Sequence, residues 1–201
     1  ENLVKWVSEN KEKYEGLSIT ARCAGTDMSG GAVGESIIMD FTRYMNKLIS
    51  FNVENKSITV QPGMFYRDFE KITLEKGLIL PCFTASKSIN AVGGMFGNNS
   101  AGERTLKYGK TEDYIFETRI VFADGIERIV KPVLLDDVSK QEKMYRDVAN
   151  LIKNNEEEIK KAKPNVHKNS SGYYIWNVIR NNQNLKNSSG LTLPGVPGGT
   201  H

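Results

Sequence analysis

The stretch TASKSINAVGGMFGNNSAGERTLKYGKTED, Thr84 to Asp113, decides how this chain is read. Glycines at 93, 94, 97 and 102 crowd together there, with Asn98 and Asn99 among them. Side chains removed at that density let the backbone approach something closely. Asparagine tolerates left-handed backbone and adds amide donors and acceptors. Taken alone, the stretch reads equally as a strip lining a ligand or as a long structural loop of irregular turns.

A second glycine-rich segment stands earlier, TARCAGTDMSGGAVGES, Thr20 to Ser36, directly after a short strand-like run. Its small residues and turn formers suit backbone N–H groups gathered around an anion. Neither usual phosphate pattern fits. From Gly25 the spacing reaches Gly30, but Gly31-Ala32 stand where a nucleotide-hydrolase loop needs Lys and Ser or Thr. The dinucleotide fingerprint G-x-G-x-x-G is missing too, because no two glycines of the chain sit two apart.

The 201 residues suffice for one substantial domain or two small lobes. With 39% hydrophobic and 25% charged residues the composition is that of an ordinary globular protein. A net charge of +3 suits an anionic ligand, but no basic stripe interleaved with aromatics marks a nucleic-acid partner. Cys23 and Cys82 form no Cys-x-x-Cys pair, and with only two histidines a zinc site is not expected. The simple reading is two reduced thiols in a cytoplasmic protein, with a disulfide between them left open. The opening ENLVKWVSENKEKYEG has no signal-peptide pattern, and no apolar run is long enough for a transmembrane segment.

Periodicity supplies the elements. Leu3, Trp6, Val7 and Tyr14 predict a helix stopping at Gly16, and LSITAR a strand that delivers the first loop. SIIMDF, Ser36 to Phe41, is a continuous apolar run expected to be a buried strand. KLISFNVENKSITVQPG reads as two strands about Glu54-Asn55-Lys56. A helix follows with Phe65, Phe69 and Ile72 on one face and Gly77 as its stop, then a short strand LILP. YIFETRIVFADGIERIVKP predicts a hairpin with a two-residue type I′ turn at Asp124-Gly125. Ser139 and Glu142 suggest a capping box for a long helix with Met144, Val148, Leu151, Ile152 and Ile159 inward, ending before Pro164. NSSGYYIWNVI is apolar enough to be buried, while GLTLPGVPGGTH reads as a flexible end.

The two glycine clusters together are more specific than either alone. RCAGTDMSG and S(x6)GGMFGNNSAG…KYGKTED, joined by VQPG and followed by VFADG, resemble the FAD-binding domain of the vanillyl-alcohol-oxidase (PCMH-type) superfamily. Within it the match is to the branch of D-lactate, glycolate and D-2-hydroxyglutarate dehydrogenases, over roughly Ser18 to Ile129. UDP-N-acetylenolpyruvoylglucosamine reductases are a weaker match, because GGMFGNNSAGERTLKYG fits the hydroxy-acid branch better.

The resemblance implies an α+β fold of two α/β lobes, one with a small parallel sheet and one with a larger, mainly antiparallel sheet. The first lobe is expected at 1–45, the second at 46–190, and a flexible tail at 191–201. It implies FAD, with the loop Arg22 to Gly30 at the pyrophosphate. Arg22 and Cys23 open that loop, and Ala24, Gly25, Thr26 and Asp27 offer backbone N–H groups to the phosphates. Pro62 and Gly63 match the turn beside the cofactor, and Ser86 matches the motif's serine. Gly93, Gly94, Asn98, Asn99, Ala101 and Gly102 line the elongated groove. Tyr108-Gly109 and Asp113 belong to the motif and shape it.

Relatives often read Arg-Gly-Gly-Gly-Thr-Ser in the first loop, where this chain has Cys23, Ala24 and Asp27. Asp27 sets a carboxylate beside a diphosphate, a repulsive placement unless the side chain turns to cap a backbone N–H. Superfamily members with a histidyl–flavin bond usually carry His where Thr26 stands, so dissociable FAD is expected. Asn90-Ala91 replace the Thr often found before Ile-Gly-Gly.

The resemblance further implies a dehydrogenase or oxidase passing a hydride from a small 2-hydroxy acid to flavin N5. Electrons leave to a cytochrome, quinone or flavoprotein, in the cytoplasm or at the inner membrane face. The alternative is an FAD-binding module with no turnover of its own. Relatives carry one more strand before the first helix, and a Gly-Ser-Glu-Gly-Thr-Leu segment and a substrate domain further on. His167 and His201 match no catalytic position of the family, so no catalytic residue is assigned.

Overall fold

The computed structural model describes residues 1–166 and 173–179. The architecture is α+β: among the described residues six short strands form three two-stranded sheets, with helices between and after them. The tail expected at 191–201, His167 and His201 lie outside the described residues.

Helix α1 (Asn2–Asn10) buries only Val7, and Trp6 stacks on Tyr14 at its outer side. The helix ends well before Gly16, which turns the chain with φ +75° into strand β1 (Ile19–Arg22). Strand β2 (Ile37–Asp40) pairs parallel with β1, Ile19 opposite Ile37 through Arg22 opposite Asp40. A parallel pair forces the chain to travel back along the sheet before re-entering it. The glycine-rich segment is that return, and it starts at the C-terminal end of β1, where open parallel sheets bind ligands.

The expectation of a buried strand at SIIMDF is corrected. Ile37 and Met39 are half-buried while Ile38 and Asp40 are exposed, because among the described residues nothing covers the second face of this two-stranded sheet.

Strands β3 (Leu48–Asn52) and β4 (Ser57–Val60) form an antiparallel hairpin. Its turn places Lys56 at φ +50°, and Asn52 Oδ1 accepts the Asn55 N–H at 2.9 Å. Helix α2 (Tyr66–Leu74) has Phe65 as its extended N-cap, bridged to Ala91. Tyr66 is fully buried, stacks on Phe69, and donates its hydroxyl to the Leu80 carbonyl at 3.0 Å. With Met64, Phe69, Phe83 and Met95 it makes the central core. Gly77, at φ +69°, closes the helix: Leu78 N–H reaches the Thr73 carbonyl and Gly77 N–H the Leu74 carbonyl, a Schellman end. LILP is not a strand; residues 78–80 are irregular backbone that offers Leu80 to the Tyr66 hydroxyl.

Helices α3 (Val92–Gly97) and α4 (Thr105–Tyr108) and a 3-10 turn (Thr111–Tyr114) carry the second glycine-rich segment. Strands β5 (Thr118–Val121) and β6 (Glu127–Val130) form the expected hairpin, but its turn differs. Only Gly125 has positive φ, +76°, and the bonds Gly125 N–H to Phe122 O and Phe122 N–H to Ile126 O make a three-residue loop. Asp124 is free of the positive φ that type I′ demands because Gly125 alone takes the left-handed position.

Beyond 130, Ser139 falls inside a 3-10 turn (Leu135–Lys140), so the Ser139–Glu142 capping box does not form. Glu142 itself is the N-cap of α5 (Lys143–Asn154), and Asn155 breaks the expected long helix before α6 (Glu156–Ala162). Tyr145, Ala149 and Ile152 of α5 join Val133, Val138 and Val178 in a second core, with Met144, Val148 and Ile159 against it. Leu151, expected inside, is 60% exposed. Glu112 accepts the Asn177 side-chain amide at 3.3 Å, and Lys110 lies over the Tyr174 ring, so part of NSSGYYIWNVI packs back on the glycine-rich region.

Candidate functional site

The return segment after β1 has two halves. In the first, the backbone N–H groups of Ala24, Gly25, Thr26 and Asp27 meet no acceptor among the described residues. Gly25 lies at φ +65°, and a Cβ there would come within 2.6 Å of the Arg22 guanidinium. Arg22 thus folds over its own loop, and Nη1 donates to the Ala32 carbonyl at 3.2 Å. Four consecutive N–H groups without partners thus surround a left-handed glycine, with a guanidinium beside them.

The second half is filled from within. Asp27 Oδ1 accepts the Ser29 N–H at 3.1 Å and the Ser29 hydroxyl at 2.7 Å, and Oδ2 accepts the Gly31 N–H at 2.5 Å. The Ser29 hydroxyl chiefly holds the Asp27 carboxyl below its ordinary range; burial opposes it, and the backbone N–H groups of Ser29, Gly31 and Gly30 add to the lowering. Of the two placements the sequence allows for Asp27, the capping one is present. Gly30, at φ +85°, makes the turn between Ser29 and Gly31.

The first loop meets α3 across one tight contact. Cys23 Sγ donates to the Pro62 carbonyl at 3.4 Å, and the same carbonyl accepts the Gly93 N–H at 2.8 Å. A Cβ on Gly93 would stand 2.6 Å from Pro62 Cβ and 2.9 Å from both Cys23 Sγ and Pro62 O; one on Gly94 would stand 3.6 Å from Cys23 Cβ. Burial raises the Cys23 thiol above its ordinary value, the Asp40 charge adds a little, and a backbone bond near Gly94 opposes both. Gly63 lies on the far side of Pro62, with its N–H on the Met45 carbonyl at 2.8 Å and no room for a Cβ, which would fall 2.1 Å from Phe41 O.

The remaining strip is tied down from behind. A Cβ on Gly102 would fall 1.9 Å from Phe83 O, so this turn lies flat on the Phe83–Thr84 backbone. Ser86 Oγ and Thr84 Oγ1 are 2.8 Å apart, and Asn90 Nδ2 donates to Thr84 Oγ1 at 2.8 Å. Asn98 Nδ2 reaches Ser100 Oγ at 3.5 Å, and Asn99, at φ +43°, accepts the Glu112 N–H on Oδ1 at 3.1 Å. Ala101 joins these turns to Gly102. Asp113 Oδ2 accepts the Lys110 N–H at 2.9 Å, and Tyr108 gives its carbonyl to the Tyr114 hydroxyl at 2.6 Å, so both shape the loop.

The structure therefore brings Cys23, Pro62, Gly93 and Gly94 into direct contact, and sets Gly102 beside Thr84 and Ser86. It turns the Asn99 side chain toward Glu112. Sequence reasoning missed Thr84 and Asn90. Asn90 is buried with Oδ1 unpartnered, and the hydroxyl–hydroxyl–amide spacing of Thr84, Ser86 and Asn90 is the signal that points to them.

A family model described as FAD binding domain matches residues 1–130. The chain belongs to this FAD-binding family, and the resemblance carried by its two glycine clusters holds. Over 110 residues it is 36% identical to glycolate oxidase subunit GlcD of Bacillus subtilis (strain 168), covering 54% of this chain and 23% of that protein. It is 23% identical over 184 residues to D-2-hydroxyglutarate dehydrogenase of Haemophilus influenzae, covering 87% of this chain and 18% of that protein. D-lactate dehydrogenase of Anaerostipes hadrus is 32% identical over 125 residues, 61% of this chain and 25% of that one. The chain thus spans a quarter or less of these three proteins.

Among solved structures, an alkyldihydroxyacetonephosphate synthase matches with a TM-score of 0.53 at 21% identity, over 65% of this chain and 23% of that one. 6-Hydroxy-D-nicotine oxidase from Arthrobacter nicotinovorans matches with a TM-score of 0.52 at 22% identity, over 64% of this chain and 28% of that one. These matches show a shared fold, the α+β architecture the resemblance implies. Among the described residues no helix is long and apolar enough to cross a membrane.

Proposed function

We propose that this chain holds FAD non-covalently, with the diphosphate on the N–H groups of Ala24, Gly25, Thr26 and Asp27 and the Arg22 guanidinium beside it. The observation that carries this reading is the run of four backbone donors without acceptors, next to a cation that pairs with no carboxylate among the described residues. Each hydrogen bond to a charged group contributes about 1.5–3 kcal/mol, so three or four make a substantial anchor. Gly30, Pro62, Gly63, Ser86, Gly93, Gly94, Asn98, Asn99, Ala101 and Gly102 line the rest of the groove. It runs between a lobe at 1–45, bearing the loop, and a lobe at 46–190, bearing the glycine strip. Support comes from the Cys23–Pro62–Gly93 contact, which joins loop and strip with no space left for side chains.

The whole protein is read as a dehydrogenase or oxidase of a small 2-hydroxy acid of the D-lactate or glycolate type, on the names its relatives carry. When bound, FAD supplies at flavin N5 the acceptor for the hydride on the substrate's α-carbon. This chain's residues bind and orient the cofactor; substrate residues and the electron acceptor, a cytochrome, quinone or flavoprotein, belong to the longer protein. By itself the chain is an FAD-binding module without turnover. Its two cysteines are free thiols, which suits a reducing cytoplasm.

An FAD titration of the purified chain, followed by flavin fluorescence and thermal stability with FMN as comparison, tests the reading. Saturable FAD binding, tighter than FMN, supports it. Absence of FAD binding refutes it.

A further inference from the structure

The Asp27 carboxylate takes up the Ser29 and Gly31 N–H groups of the loop. Half of the cradle is therefore neutralised by the chain itself. The other half ends at the N–H of the same residue, so an anion on that N–H lies within about 7 Å of the carboxylate by covalent geometry. That distance is inside the screening length of about 8–10 Å at ordinary ionic strength. The opposing charge is Arg22, held over Gly25 by its bond to the Ala32 carbonyl.

We propose that Asp27 makes the loop a charge filter that accepts a diphosphate diester and rejects a terminal phosphate. This rests on the FAD reading above. A diphosphate esterified at both ends, as in FAD, carries one negative charge on each phosphate. A terminal phosphate near neutral pH carries close to two on one phosphate, and the second charge meets the Asp27 carboxylate. One further unit charge at this range, in a medium between protein surface and water, changes affinity roughly three- to tenfold.

ADP-ribose and ADP isolate the effect, because they share adenosine diphosphate and differ in whether the terminal phosphate is esterified. Each is titrated as a competitor of FAD against the chain and its Asp27→Asn variant, in low salt at pH 7.5. Asn keeps an acceptor for the Ser29 bonds and removes the charge, together with the Gly31 bond that the second carboxylate oxygen accepts. The expected result is that ADP-ribose competes three- to tenfold better than ADP with the unmodified chain. In Asp27→Asn the ratio falls toward one through tighter ADP binding, and added salt narrows the difference in the unmodified chain only. A ratio unchanged by the substitution, or both ligands weakened alike, overturns the filter while leaving FAD binding intact. Failure of both proteins to bind FAD overturns the cofactor reading and the filter with it.

Discussion

Gly93→Ala is the substitution that most directly loads the joint between the two glycine-rich segments. The new methyl falls 2.6 Å from Pro62 Cβ and 2.9 Å from Pro62 O and Cys23 Sγ, where carbon–carbon contacts settle at about 3.5–4.0 Å. Two of those three neighbours belong to a proline whose ring and carbonyl have no rotamer to yield. Relief therefore requires the start of α3 to move away by about an ångström, stretching the 2.8 Å bond from Gly93 N–H to Pro62 O. Overpacking of this kind costs about 1–3 kcal/mol, and a weakened backbone bond adds about 0.5–1.5. The sum, about 2–4 kcal/mol, lowers the melting temperature by roughly 5–15 °C in a chain of this size. Gly97→Ala is the matched control: it lies in the same helix, has nothing within 4 Å of its new methyl, and gains helix propensity. Circular-dichroism melts and urea titrations of both variants without ligand should show a large loss for Gly93→Ala and none for Gly97→Ala. Equal melting temperatures for the two would refute the contact.

Other expectations follow from the same geometry. Arg22→Ala removes the loop's cation and its tie to Ala32, and should weaken FAD roughly ten- to a hundredfold by fluorescence titration, with Arg22→Lys intermediate. Asp27 has a carboxyl held below its ordinary value, so its caps stabilise the loop above pH about 4 and fade as pH falls through the folded value. Solvent screening at this half-buried site keeps that contribution under about 1 kcal/mol, and the melting-temperature advantage over Asp27→Asn should shrink between about pH 5 and 3. Burial, eased slightly by the Thr111 hydroxyl, raises the buried Cys82 thiol to about 11. Cys82 should therefore resist DTNB at pH 8 in the folded chain and react fully in guanidinium.

Much of this was legible in the sequence because short-range chemistry dictates it. Gly77 ends its helix where a left-handed residue is needed, and the Val53–Lys56 turn and the β5–β6 hairpin form where turn residues separate apolar runs. The glycine clusters mark places where backbone meets backbone, as Gly102 on Phe83 and Gly93 on Pro62 show. What escaped depended on partners distant in sequence. Nothing local to SIIMDF says that a face of its sheet goes uncovered. Nothing in LILP says that Leu80 is wanted as an acceptor for the Tyr66 hydroxyl rather than as a strand residue. At Ser139 two local signals competed, and the 3-10 turn won over the capping box. The Asp27 carboxylate was legible as an alternative only: sequence offers repulsion or capping, and the backbone turn at Gly30 selects capping.

The central claim is that four backbone N–H groups receive the FAD diphosphate. Amide chemical shifts of the isotope-labelled chain, recorded as FAD is added, test it residue by residue. Saturable shifts should be largest at Ala24, Gly25, Thr26 and Asp27, with smaller ones at Gly93 and Gly94 and almost none at Gly31, whose N–H the Asp27 carboxylate already holds. Saturable shifts centred elsewhere, with Ala24 to Asp27 unmoved, would contradict it.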